Sequence, residues 1–127
     1  MNIFITTQFE DFHRWKDAPD AVAFLRDIHR HIFHVKITAS VSHAERDIEF
    51  ILFKREVNEI IKNIQADGCL PITDQPLEDW SCETWSKAIL YHLHKYHKYN
   101  NHFTCEFSED GENGAIVDDS DLKEVLD

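Results

Sequence analysis

The residues of this chain whose types and spacing could do chemistry are three histidines, His13, His29 and His31. His29 and His31 are two residues apart in a run that predicts a β-strand from His29 to about Ser42, whose later odd positions are all apolar. Side chains two apart on a strand leave the same face, so both imidazoles are expected to point inward. Together with His13 they would supply three nitrogen ligands, the usual protein contribution to a catalytic zinc ion with one open position.

Histidines at this spacing also occur without a metal. The chain contains nine histidines, so a pair two residues apart and a distant third can arise by chance. Such side chains are then hydrogen-bonded to the backbone or packed at a strand end. The spacing alone leaves both interpretations open.

Size and charge narrow the class of protein. A chain of 127 residues with 43% hydrophobic residues is expected to fold as a single domain over 1–127. Its formal net charge of -11 opposes binding to nucleic acids and to anionic membranes. The N-terminus is too polar for a signal peptide, and no apolar run is long enough to span a membrane. The three cysteines, Cys69, Cys82 and Cys105, form no C-x-x-C pair, so we expect a protein of the reducing cytoplasm.

The elements that must position the histidines follow from hydrophobic periodicity and turn signals. A strand is predicted over Asn2–Phe9, and an irregular segment over Glu10–Asp27 that contains His13. After the His29 strand, a helix is predicted whose apolar side carries Phe53, Val57, Ile60, Ile61 and Ile64, and Gly68 ends it. A loop is predicted over Cys69–Trp80, followed by a second helix from Ser81 or Cys82 to Tyr99 with Ser81 as its N-cap. Two strands, over Phe103–Phe107 and Gly114–Val117, and an acidic tail from about Asp118 complete the predicted elements. This ββααββ order predicts an α+β fold, an antiparallel four-stranded sheet with two helices on one face.

Three segments resemble motifs of one enzyme family. The segment His29-Arg30-His31-Ile32-Phe33 is similar to the motif H-G-H-x-[YF], with Arg30 in place of the glycine. The segment Asp47–Lys54 is similar to M-V-x-D-F-x-x-L-K, and Ser81-Cys82-Glu83-Thr84 is similar to P-T-x-E-N. These are motifs of the 6-pyruvoyl-tetrahydropterin synthase and 6-carboxytetrahydropterin synthase family, and the resemblance covers roughly Phe9 to Val117. It implies the tunnelling fold, in which subunits join into barrels, and hence a homo-oligomer, a trimer or hexamer. It also implies zinc on His13, His29 and His31 and a small pterin-type ligand.

The resemblance further implies which residues bind the substrate. Thr104-Cys105-Glu106-Phe107 is similar to the family's V-x-V-x-E-T strand, whose glutamate anchors the amino-pyrimidine edge of the pterin. A carboxylate can accept two parallel N–H bonds from such an edge, so Glu106 is the corresponding candidate. Glu83, at the start of the second helix, is a further candidate. The alternative for Glu106 is an exposed acid near an acidic turn.

The chain lacks the residues that transfer protons in the family's synthases. Family synthases carry a cysteine four residues before the first histidine of H-x-H, and this position is Leu25 here. The family's L-D-H-x-x-L-N segment, with its Asp-His pair, is also missing. Asp27, two residues before His29, is a candidate general base if the strand extends back to it. Its alternative is an exposed turn acid.

Two functions therefore remain open. The first is a zinc-dependent 6-pyruvoyl- or 6-carboxy-tetrahydropterin synthase-like lyase that acts on a dihydroneopterin triphosphate-type substrate. The second is a zinc-containing pterin- or purine-binding module of the same fold that has lost catalysis.

Overall fold

The computed structural model describes residues 1–67, 73–97 and 99–122. It contains four strands and two α-helices, β1 (Asn2–His13), β2 (His29–Ser40), α1 (Phe50–Asp67), α2 (Cys82–Lys95), β3 (Phe103–Glu109) and β4 (Asn113–Asp118). Short 3₁₀-helices cover Asp20–Arg26, Leu77–Asp79 and Asp119–Leu122. Gly68, Cys69 and the end of the acidic tail, residues 123–127, lie outside the described residues.

The sheet is antiparallel throughout and has the order β1-β2-β3-β4. Its odd-numbered residues form one face. Those of β2 and β3 from Phe33 to Ala39 and from Phe103 to Phe107 are buried in one core with the apolar sides of α1 and α2. Both helices therefore cover the same face of the sheet, as the α+β prediction requires.

β1 is longer than the sequence predicted. It continues beyond Phe9 to His13, and each of its residues pairs with β2, with His13 opposite His29. The prediction of an irregular segment over Glu10–Asp27 was therefore wrong for residues 10–13, which belong to β1. Cross-strand pairing with β2 stabilises this polar stretch, although its local composition suggests a loop.

The helices pack as their periodicity predicted. All five apolar residues predicted for α1 are buried, and the Ser81 side chain caps α2 by accepting a hydrogen bond from the Thr84 N–H. α2 ends at Lys95, four residues earlier than predicted. Beyond it the chain folds back, since the Tyr99 N–H donates to the Leu93 carbonyl. No helix in the described part of the chain is long and apolar enough to cross a membrane.

The turn between β3 and β4 holds two acidic residues beside the start of β2. Asp110 and Gly111 have positive φ angles of 56° and 73°, a conformation that aspartate and glycine tolerate better than most residues. The Asp110 N–H donates to the Ile32 carbonyl at 2.7 Å. This turn therefore places Glu109 and Asp110 next to His31.

Candidate metal centre

Three imidazole rings meet where β1 ends and β2 begins. His13 and His29 are cross-strand partners, and His31 lies on the same face one step further along β2. The ring centroids are 4.6 Å apart for His13 and His29, 4.9 Å for His13 and His31, and 4.8 Å for His29 and His31. The structure thus brings together all three histidines predicted as metal ligands.

A carboxylate completes the group. Glu109, the last residue of β3, places its Oε2 atom 3.4 Å from His13 Nε2 and 2.7 Å from His31 Nε2. One ligand atom from each of His13, His29, His31 and Glu109 lies within 4.8 Å of the other three. These four side chains, which we call the His/Glu cluster, could hold a metal ion.

Sequence reasoning missed Glu109, which lies beyond the predicted strand over Phe103–Phe107. A signal was available, because Glu109 has the same parity as the buried Cys105 and Phe107. The missing information was the end of β3, which extends two residues beyond Phe107 because Glu109 still pairs with Phe33 of β2. Continued alternation along β3 would have placed this carboxylate on the histidine face.

The second nitrogen of each ring is bonded to an oxygen outside the His/Glu cluster. His13 Nδ1 lies 3.3 Å from the Trp80 carbonyl oxygen, and His29 Nδ1 lies 2.8 Å from the Asp27 carbonyl oxygen. His31 Nδ1 lies 2.6 Å from Asp110 Oδ2. Carbonyl and carboxylate oxygens only accept hydrogen bonds, so each Nδ1 carries the proton and donates it. In a neutral ring, Nε2 then directs its lone pair toward the centre of the cluster, which is how metal-binding histidines are held in proteins.

This arrangement needs a positive charge at its centre. His31 Nε2 and Glu109 Oε2 are 2.7 Å apart, and both are acceptors when the ring is neutral. Either a proton or a cation must therefore lie between them. Without a metal, burial alone would lower the pKa of His13, but the hydrogen bonds to Glu109 and to the Trp80 carbonyl outweigh burial and raise it. The hydrogen bond from His13 in turn keeps the pKa of Glu109 below its usual range.

The donor set fits a divalent transition metal. Imidazole nitrogen is a ligand for zinc, copper, iron and nickel, and carboxylate oxygen completes many such sites. The buried Nε2 atom of His29 has no hydrogen-bond partner among the described residues, although it points into the same group of ligand atoms. The residues present therefore fit a metal ion.

The His/Glu cluster borders a cavity of about 550 Å³. Apart from His13, His29 and Glu109, its walls include Arg14, Trp15, Leu25, Asp79, Trp80, Cys82 and Glu83. A larger cavity, of about 750 Å³, is lined instead by residues such as Glu106, Lys36 and His34. Among the described residues, the one group of three or more side chains that could hold a metal ion lies at the smaller cavity.

Cys82 is the thiol that contacts the His/Glu cluster. Its Sγ atom lies 3.9 Å from Glu109 Oε1. Burial, with the negative charges of Glu109 and Glu83, raises the pKa of Cys82 to about 12. In the metal-free protein this residue is therefore a protonated donor to Glu109 rather than a base.

The two glutamates predicted to bind the substrate lie in different places. Glu83 lines the cavity beside the His/Glu cluster. Glu106 has the opposite parity to the core residues of β3, pairs in register with Lys36, and lies 3.8 Å from the Lys36 ammonium. The structure therefore does not bring Glu106 together with the histidines.

Asp27 reaches the His/Glu cluster through its backbone. β2 begins at His29, so the strand does not extend back to Asp27 as the general-base hypothesis required. The Asp27 side chain is exposed, and its carbonyl oxygen holds His29 Nδ1. Its contribution in this structure is the orientation of a ligand ring.

Comparison with known proteins adds no family to this description. No family model matches the chain, and no curated protein is significantly similar to it.

Proposed function

We propose that the His/Glu cluster holds zinc and that the protein is a divergent, zinc-dependent lyase of the tetrahydropterin synthase type, acting on a dihydroneopterin triphosphate-type substrate. One observation carries the proposal. Three Nε2 atoms converge beside a cavity, and each is oriented by an oxygen bonded to the other nitrogen of its ring. Proteins use this arrangement to present imidazole to a catalytic metal. The motif resemblance along the strands and helices supports the pterin-type substrate.

Zinc would be held by His13, His29 and His31, with Glu109 as a fourth donor or as a carboxylate that a substrate displaces. A zinc ion in such a site acts as a Lewis acid on a substrate oxygen. The cavity beside it, of about 550 Å³, is within the usual size range of small-molecule sites. Leu25 and Trp80 give it apolar walls, and Glu83 gives it a carboxylate in the second-helix motif.

A specific observation favours a second candidate, a zinc-containing binding module without catalysis. Leu25, at the position of the family's cysteine, lines the cavity and can transfer no proton. Cys82 is a poor substitute because its thiol is protonated, and the Asp27 carboxylate is exposed. A pocket that retains the ligands but lacks a base binds a pterin without converting it.

Metal analysis combined with product analysis separates the two candidates. The purified protein is dialysed extensively, its zinc is measured, and it is incubated with dihydroneopterin and with dihydroneopterin triphosphate. Stoichiometric zinc with turnover supports the lyase, and zinc with binding but no turnover supports the module. Absence of stoichiometric metal would contradict both. Turnover that Asp27→Asn leaves unchanged would rule out the Asp27 carboxylate as the base.

We also propose that copies of this chain assemble through their sheets into a trimer or hexamer. β1 and β4 are the edges of the sheet, and edge strands that remain unpaired are prone to join others. Phe4, Phe12 and Ile116 on these strands are at least half exposed. Light scattering after size-exclusion chromatography tests the assembly, and a monomer would refute it.

Cys82 and Cys105 are free thiols, which supports a reducing compartment such as the cytoplasm.

A further inference from the structure

The face of the sheet that the helices leave uncovered holds the larger cavity, of about 750 Å³. Its floor consists of two neighbouring rows of even-numbered residues that run across all four strands in register. The first row is Gln8, His34, Ser108 and Gly114, and the second is Thr6, Lys36, Glu106 and Ile116. Neighbouring strands lie about 4.8 Å apart and residues two apart on a strand about 6.8 Å, so the floor measures about 7 by 14 Å, the size of a small molecule.

Four polar side chains of this floor are unpaired. Thr6, Gln8, His34 and Ser108 form no side-chain hydrogen bond or ion pair with another residue in the described part of the chain. All four are exposed or partly exposed, so a ligand in the cavity can reach them. Hydroxyl, amide and imidazole groups each offer at least one O–H or N–H donor. The floor therefore presents several hydrogen-bond donors to whatever occupies the cavity.

The charged side chains of the cavity have the opposite balance to the whole chain. Lys36 and Lys54 line it, and Glu106 is the one carboxylate among its described walls, whereas the chain has 13 lysines and arginines against 24 acids. Glu106 Oε2 lies 3.8 Å from the Lys36 ammonium and offsets its charge. Lys54 comes from α1 and lies beside the β1 edge, because Asn58, one turn further along α1, accepts a hydrogen bond from Thr7 at 2.6 Å. Lys54 forms no ion pair with a described residue, so its positive charge remains uncompensated.

An oxyanion matches this combination of groups. Phosphate and carboxylate groups bring negative charge and acceptor atoms, so they pair with ammonium groups and with O–H and N–H donors. Glu106 can accept a hydrogen bond from an O–H or N–H group elsewhere on the same ligand. The volume of about 750 Å³ is within the usual range of small-molecule sites.

We propose that the uncovered face of the sheet binds a small molecule that carries an oxyanion, either a phosphate or a carboxylate. Lys36 and Lys54 are its cationic partners, and the unpaired side chains of the floor donate hydrogen bonds to it. This site is separate from the His/Glu cluster, whose odd-numbered residues lie on the other face of the sheet. It does not depend on the pterin-type function proposed above.

An NMR titration of the isotope-labelled protein with inorganic phosphate and, separately, with malonate tests the site, at an ionic strength held constant with sodium chloride. We expect the backbone amide signals of Gln8, His34 and Ser108 to shift and to saturate with at least one anion, and the tighter binder identifies the oxyanion. Absence of a saturable shift at these amides with both anions would overturn the inference. Shifts that follow the protein concentration instead would show that a second copy of the chain covers this face, and would also overturn it.

A zinc ion at the His/Glu cluster could itself attract the anion, and Gly114 borders both cavities. The titration is therefore run on the zinc-loaded protein and on protein from which a chelator has removed the metal. The same saturable shifts in both forms are expected of a site on the uncovered face. Binding that disappears with the metal would place the anion at the His/Glu cluster and contradict the inference.

Charge changes at the cavity walls give an independent test. Lys36→Gln and Lys54→Gln should each weaken anion binding about two- to fivefold, the effect of losing an exposed ion pair. The matched control is Lys62→Gln, which removes the same charge from an exposed position of α1 outside the cavity walls. If Lys54→Gln and Lys62→Gln weaken binding equally, the effect is long-range charge and the assignment of Lys54 is wrong.

Glu106→Gln should change the affinity in the other direction. Removal of this carboxylate leaves Lys36 free for the anion, so binding should become about two- to fivefold tighter. General damage to the sheet would weaken binding instead. A Glu106→Gln protein that binds the anion no more tightly than wild type would contradict the proposed contacts.

Discussion

Replacing Asp110 with asparagine should weaken metal binding although Asp110 is not itself a ligand of the His/Glu cluster. The two oxygens of Asp110 accept two different donors, Oδ2 from His31 Nδ1 at 2.6 Å and Oδ1 from the Ile32 N–H at 2.9 Å. Asparagine tolerates the positive φ angle at this position, so the turn is expected to persist. Its side chain has only one oxygen, however, so one of the two donors must face an NH₂ group.

The size of the effect follows from what the lost contact does. Without an acceptor at Nδ1, the His31 ring is free to rotate or to move its proton to Nε2, which removes the lone pair that the metal needs. Loss of such a partner costs about 10- to 100-fold in metal affinity, or about 1.4 to 2.7 kcal/mol.

Zinc affinity measured by competition with a chromophoric chelator, at one fixed neutral pH, checks this prediction. Glu112→Gln is the matched control, because Glu112 is an exposed acid of the same turn that does not belong to the His/Glu cluster. Equal affinities in wild type, Asp110→Asn and Glu112→Gln would refute the idea that Nδ1 contacts orient the ligands.

Three further predictions concern the same site. The variants His29→Ala and His31→Ala should each lose stoichiometric metal, whereas His34→Ala, on the other face of β2, should keep it. Plasma emission spectrometry of the dialysed proteins measures the metal content. Equal content in all three variants would be inconsistent with the strand-face assignment. The apparent affinity for zinc should begin to fall with decreasing pH already above the ordinary histidine pKa of 6.5, because the pKa of His13 is raised and protons then compete for Nε2. An affinity that does not change with pH down to the carboxylate range would contradict this. Cys82, with a pKa of about 12, should react with iodoacetamide about a thousandfold more slowly than an ordinary thiol in the metal-free protein, and mass spectrometry showing rapid labelling would refute the protonated state.

The parts of the fold that follow local periodicity were predictable from the sequence. The alternation of β2 placed His29 and His31 on the core face, and the helical spacing from Phe53 to Ile64 identified the buried side of α1. The Ser81 cap was readable because a serine before a helical run accepts the free N–H groups of its first turn.

The rest of the site depends on contacts between distant segments. The end of β1 is polar, and only pairing with β2 makes His13 a strand residue opposite His29. Glu109 entered the His/Glu cluster because β3 extends along β2 as far as Phe33, which no local pattern fixes. The orienting carbonyls of Asp27 and Trp80 are backbone atoms, so residue types could not reveal them.

The claim that four side chains converge on one cation is tested most directly by a zinc-loaded crystal measured at the zinc absorption edge. We expect one anomalous peak about 2.0 to 2.1 Å from the Nε2 atoms of His13, His29 and His31, with a Glu109 oxygen in or next to the coordination sphere. Zinc bound elsewhere, or a His13 ring turned to solvent away from the other two, would contradict the account.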